Sequence, residues 1–290
     1  MIGSGRLAID RYQPAIDMAC AVTVTSAPTM RTMARIPGRE LITAQSWRAE
    51  ERMTRSRAEA RFRHPRHERR GEARLPAVAA TLVAIVLYVV LPQQLLVAPR
   101  FVLPGLELLL LVPLVAINPR RLTRQTRTFR VLSLTLVFVI AASNMTALAI
   151  LVHELIHAGI KDGSALLTAA LQVWLTNIIV FGLAFWELDR GGPVARTQAP
   201  RDELPLADFR FSQDENDDAV QEVADGASGS SDWVPTLVDY LYISVTNSTA
   251  FSPTDTMPLS SRAKLLMSIE SIAALMTSLL VIARAVSVLH

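Results

Sequence analysis

The chain has 290 residues, of which 51% are hydrophobic, with a mean hydropathy of +0.32; this composition points to a multi-pass membrane protein and away from a soluble enzyme of one or two domains. The net charge of +3 hides an asymmetry: of 29 basic residues only Lys161 and Lys264 are lysines, and fifteen arginines precede residue 75. Cys20 is the single cysteine, which excludes an internal disulfide. No aromatic or zinc-ligand pattern interleaves the arginines, so nucleic-acid binding is not expected.

Residues 1–74 read as a disordered basic N-terminal region, too polar to fold alone. Beside a membrane span, arginine holds its end in the cytoplasm, and Arg61, Arg63, Arg66, Arg69, Arg70 and Arg74 can reach anionic lipid headgroups. The short apolar run Met18 to Ala27 lacks a basic flank and is not read as a signal peptide. The irregular composition of residues 1–52 suits a start at Met53.

Residues 75–187 are expected to form a four-helix transmembrane region. Ala77 to Val97 supplies 21 largely apolar residues, about the length a crossing helix needs. Phe101 to Ile117 is shorter and carries Pro104, Glu107 and Pro113, which predicts a kinked or tilted return with Glu107 near a membrane boundary. Val131 to Val152 and Ala165 to Trp186, 22 residues each, complete the four. Gly191-Gly192-Pro193 then stops the helix, and residues 188–232 read as an acidic, flexible loop through Asp214, Glu215, Asp217, Asp218, Glu222 and Asp225.

The last region, 233–290, combines a pore-like segment with a final span. Leu265 to Ala283 is apolar apart from Glu270. Before it, Trp233 to Asp255 is half apolar and then abruptly rich in Ser, Thr and Asn; lipid does not tolerate that second half, so it packs in protein or lines water. A short helix near Pro235 to Asn247, polar extended chain and a full span make the pattern of a re-entrant loop. The expected fold is therefore all-α, a multi-pass helical protein with five spans plus one re-entrant or sixth span. The arginines of the N-terminal region and the run Arg120, Arg121, Arg124, Arg127 and Arg130 place both at the cytoplasmic side, and the acidic loop with them.

From Asp239 to Val286 the sequence DYLYISVTNSTAFSPTDTMPLSSRAKLLMSIESIAALMTSLLVIARAV resembles the pore helix, filter and inner helix of two-helix potassium channels. It resembles more closely a group of uncharacterised bacterial membrane proteins with the same YLY, TNSTAFSPTD and AKLLM wording, in which ELDRGGP ends the preceding span as Glu187 to Pro193 does here. The resemblance implies a channel-like homo-oligomer in the cell membrane with a pore segment of Thr246, Asn247, Ser248, Thr249, Ala250, Phe251, Ser252, Pro253, Thr254 and Asp255, and with Glu270 on the inner helix. The TVGYG filter is replaced by Ala250 to Thr254. Loss of both glycines, with Pro253 in their midst, predicts no potassium-type carbonyl filter, and the permeating ion or solute stays open. A loop that dips from the cytoplasm is inverted relative to potassium channels, an arrangement that resembles ionotropic glutamate receptors. Full crossing instead sends Asp255 outside and makes six spans. The same Ser, Thr and Asn residues can serve as a polar seam between helices without conduction, and Glu270 can pair with Lys264 or Arg262.

His153-Glu154-Leu155-Ile156-His157 matches the His-Glu-x-x-His pattern, in which two imidazoles on one helix face hold zinc and the glutamate activates water. It resembles the motif of intramembrane site-two proteases. A third protein ligand is needed, and Glu187 and Asp189 lie at the opposite end of the fourth span, about 30 Å away by helical rise. The reading adopted is no cofactor and no catalysis, with zinc at His153 and His157 and a catalytic Glu154 as the alternative. A non-conducting scaffold in the bilayer is the other alternative.

Overall fold

In the computed structural model the described residues are 71–156, 163–215, 220–249 and 255–289. The proposed start at Met53, Cys20 and nearly all of the basic N-terminal region lie outside them, as do His157 and the filter-equivalent Ala250 to Thr254. The described chain is mostly helical, with one two-stranded ladder.

Helix α1, Leu75–Val90, starts with Pro76 in its first turn, where a missing N–H costs nothing. It ends earlier than the apolar run does. Pro92 pushes Leu91 to extended backbone (φ −56°, ψ 145°), so the continuous helix is 16 residues long. Arg100 then donates to the carbonyls of Val89 (3.0 Å) and Leu91 (3.3 Å), which the helix end leaves open. Helix α2, Val102–Ile117, is also 16 residues, with Pro113 inside it. At about 1.5 Å per residue each spans roughly 24 Å, short of a full hydrocarbon layer of about 30 Å.

Three helices are long and apolar enough to cross a membrane, as Arg127–Ile156, Ser164–Gly191 and Ser261–Ile282. They belong to α3 (Arg127–Ile156), α4 (Gly163–Leu188) and a terminal helix Ser261–Leu289. In α4 67% of the apolar window is buried, against 44% in α3 and 22% in the terminal helix, so α4 is the post around which the others pack. Its neighbours are α1, α3, the terminal helix and a short helix, Leu237–Thr249. Gly182 lets that short helix approach: a Cβ there would stand 2.7 Å from Leu241 Cδ2 and 3.2 Å from its Cα.

The segment 188–232, expected as a flexible loop, is folded over its described residues. It carries α5 (Pro193–Gln198), β1 (Phe209–Arg210), α6 (Gln221–Ala224) and α7 (Ser228–Ser231). The short helix Leu237–Thr249 is α8, β2 is Met257–Pro258, and the terminal helix is α9. Strand β1 pairs antiparallel with β2, Phe209 opposite Pro258, and so fastens the segment to the lead-in of α9. Phe209 and Phe211 are buried and stack edge-on with Phe185, Tyr240 and Trp233 at centroid distances of 5.1–6.2 Å. The physical reason for the difference is that the acidic residues alternate with aromatic and arginine side chains that have partners on α4 and α8.

At the same end an isolated bridge, Ala73 with Arg121, ties the entry of α1 to the loop between α2 and α3.

Candidate functional site

Two polar constellations occupy the helix pack. The first is the seam between α8 and α9. Ser244, Asn247 and Ser248 stand at i, i+3 and i+4, one face of α8, and that face meets Glu270 of α9. Glu270 is completely buried. Its carboxylate accepts from the Ser244 hydroxyl, from Asn247 Nδ2 at 2.6 Å and from the Ser248 hydroxyl at 3.0 Å. Ser244 also lies 2.8 Å from the Ile178 carbonyl, and Asn177 Nδ2 donates to the Glu270 carbonyl at 3.4 Å, which brings α4 into the seam. Asn247 is shared further, donating to the Met267 carbonyl (3.0 Å) and accepting from the Ser271 hydroxyl (2.9 Å).

Of the residues expected to line a pore, Asn247, Ser248 and Glu270 therefore come together. Thr246 and Thr249 turn back on their own helix, donating to the carbonyls of Tyr242 (2.8 Å) and Thr246 (3.0 Å). Asp255 is exposed at the far side of the segment 250–254. The expected alternative pairing of Glu270 with Arg262 is corrected: Arg262 holds Asp208 instead, at 2.5 and 2.7 Å. Asn177 and Ser271 belong to the seam and were not singled out in the sequence. A polar side chain in an apolar helix was the available signal for Asn177. Beside the seam a groove of about 520 Å³, lined by Asn247, Lys264, Ser268 and Ser271 among others, opens to the outside.

The second constellation is a plate of charges where α4 ends, built on Glu187 to Pro193. Gly191 and Gly192 adopt positive φ (80° and 96°), which stops the helix, and Arg130 Nη1 would stand 2.1 Å from a Cβ at Gly192. Glu187, buried, takes Arg130 at 2.9 Å and the Ser133 hydroxyl. Asp189, also buried, takes the Tyr240 phenol of α8 at 2.5 Å and the Asp208 N–H at 2.7 Å. Arg190 reaches Asp214 at 2.7 Å. Arg196 is fully buried, donates to the carbonyls of Trp186 (2.7 Å) and Asp189 (2.9 Å), and lies 4.8 Å above the Tyr240 ring. Glu72 accepts from Trp186 Nε1 (2.9 Å) and from the first N–H of α8, at Leu237 (2.8 Å). Burial raises the Glu72 carboxyl above its ordinary value, against the pull of those donors and of Arg196. In Asp214 burial pushes up, yet the Ser228 hydroxyl, the Arg190 charge and the Phe211 N–H hold the group below its ordinary 3.8.

The described residues of the His-Glu-x-x-His motif, His153 to Ile156, sit elsewhere, in the last turn of α3, with His153 exposed and Glu154 half-buried. Among the described residues no three His, Cys, Asp or Glu side chains converge on a position that could hold a metal ion. Glu187 and Asp189 are engaged in the plate. No protein-family model, curated protein or solved structure matches the chain.

Proposed function

We propose that the chain is a multi-pass protein of the cell membrane with its N-terminus in the cytoplasm, in which α8 and α9 form a channel-like module without potassium-type selectivity. In this reading α3, α4 and α9 count as crossing helices, the shorter α1 and α2 beside them make five segments, and α8, packed on α4 and α9, is taken as a re-entrant helix. The observation that carries this reading is Glu270: a carboxylate inside an apolar span, fully buried, with three side-chain donors from the polar half of α8 turned on it. The polar second half of α8, turned on Glu270, supports re-entry over a sixth crossing. The low burial of α9 leaves a face on which further copies of the chain pack in a homo-oligomer.

The test is flux from liposomes carrying the purified protein. Flux above protein-free liposomes is expected for at least one small ion, changed by Asn247→Ala or Asp255→Ala. Flux equal to empty liposomes across several ions of both signs refutes conduction.

One observation favours a second reading, a non-conducting scaffold: the hydroxyls of Thr246 and Thr249 are satisfied by their own helix and Glu270 by the seam, as in a polar glue between helices. That reading expects no flux, with Glu270 variants altering stability alone.

A further inference from the structure

One buried carboxyl belongs to neither constellation. Glu107, on α2, is 1% exposed, and neither of its oxygens has a hydrogen-bond partner among the described residues. The contrast with Glu187 and Glu270, each met by side-chain donors, is internal to the same protein.

Among the described residues its surroundings contain no compensating cation. Helix α2 packs against α3 and α1. Helix α2 has no other ionisable side chain, and α1 has only Tyr88. The ionisable groups of α3 stand near its two ends, Arg127 and Arg130 at one and His153 and Glu154 at the other, and Arg130 is taken by Glu187. Arg100, the basic residue nearest in the chain, spends its guanidinium on the carbonyls of Val89 and Leu91. What remains within electrostatic reach is the neutral phenol of Tyr88. A carboxylate at such a place is a bare charge in a low-dielectric interior, whereas buried charges are paired or are neutralised. The neutral acid differs in kind: it carries no net charge, so its burial without a partner costs far less.

We infer that Glu107 binds a proton from neutral solution and sits between α1, α2 and α3 as the neutral acid, a proton-binding site separate from the α8–α9 seam. The ligand is the hydron itself, one per chain. The site rests on burial and on the absence of a facing cation and does not depend on conduction, so failure of the flux experiment leaves it standing and its own failure leaves the seam untouched.

Infrared spectroscopy of the full-length protein in lipid at neutral pH reads the group directly. The expected result is a carboxylic-acid C=O stretch that moves after preparation in D₂O. It is lost in Glu107→Gln, displaced in Glu107→Asp and retained in Glu270→Gln, which assigns it to α2. If Glu107→Gln does not fold, the displacement in Glu107→Asp carries the assignment. A spectrum unchanged in the acid region by substitution at Glu107, or an acid band lost only in Glu270→Gln, overturns the inference, since Glu107 is then ionised.

Discussion

Replacing Asp189 with Asn keeps the shape of the side chain and removes its charge at the centre of the plate. The carboxylate is completely buried and holds the Tyr240 phenol at 2.5 Å, the N–H groups of Asp208 and Phe209 at 2.7 and 3.4 Å, and Arg190 at 3.5 Å. An amide offers one acceptor oxygen where the carboxylate offers two. Its oxygen can keep the backbone donors, but its NH₂ then faces the Tyr240 phenol, so a bond from the phenol to a charge becomes a neutral one with the phenol oxygen accepting, and Arg190 keeps Asp214 and the Phe209 carbonyl. A hydrogen bond to a charged group contributes about 1.5–3 kcal/mol and breaking a buried pair costs about 3–5 kcal/mol. Because Arg190 retains Asp214, the lower end applies, about 3 kcal/mol. At about 2–4 °C per kcal/mol for a unit of this size, Tm falls by about 6–12 °C. Tryptophan fluorescence during heating is the assay, with Trp186 and Trp233 bordering the plate. Tyr240→Phe, which removes one donor, costs about 1–2 kcal/mol, and the double variant falls short of the sum because both remove the same bond. An Asp189→Asn protein that melts within about 2 °C of wild type refutes the claim that the plate holds α8 to α4.

Other expectations concern the neighbours of these groups. Gly182→Val drives a side chain into the backbone of α8 at Leu241 and lowers stability by about 1–3 kcal/mol, with Leu241→Ala partly restoring it in thermal melts. Asp214, held below its ordinary 3.8 in the folded state, stabilises the fold above that value and loses this contribution as pH falls through its folded value; a melting profile against pH is flatter at the acid end in Asp214→Asn, and an unchanged profile counts against the Arg190 pair. Glu270→Leu leaves Ser244, Asn247 and Ser248 facing an apolar side chain and costs about 1–3 kcal/mol for each donor left without a substitute, whereas Glu270→Gln costs less because its carbonyl still accepts. A cysteine at the exposed Val220, in a Cys20→Ser background, reacts with an impermeant maleimide from the cytoplasmic side only; labelling from outside reverses the orientation read from the arginines.

The long helices were legible because their apolar runs exceed what any soluble core needs, and α3, α4 and α9 appear where those runs lie. The first run misled by length. Apolar composition continues to Val97, but Pro92 ends the helix, so local backbone chemistry overrode hydropathy. The α8 helix was readable from the same half-apolar, half-polar pattern that marked it as unusual. Its partner was not: nothing in the sequence says that Glu270 turns toward Ser244 and Ser248, 26 and 22 residues away, and not toward nearby Lys264 or Arg262. The pairings inside the acidic segment were hidden for a related reason. Composition counts Asp208, Asp214 and Arg196 as solvated charges, and only the fold reveals that Arg262, Arg190 and Tyr240 receive them.

Glu72 gives the basic N-terminal region a mechanical address. Its carboxylate covers the first N–H of α8 at Leu237 and at the same time grips Trp186 near the end of α4. The chain just before α1 is thereby joined to both α4 and α8. A displacement of residues 71 and 72 therefore reaches three places at once: Arg121, which donates to the Gly71 carbonyl (2.9 Å), Trp186 and the start of α8. The last of these is the foot of the helix whose other end carries Asn247 and Ser248.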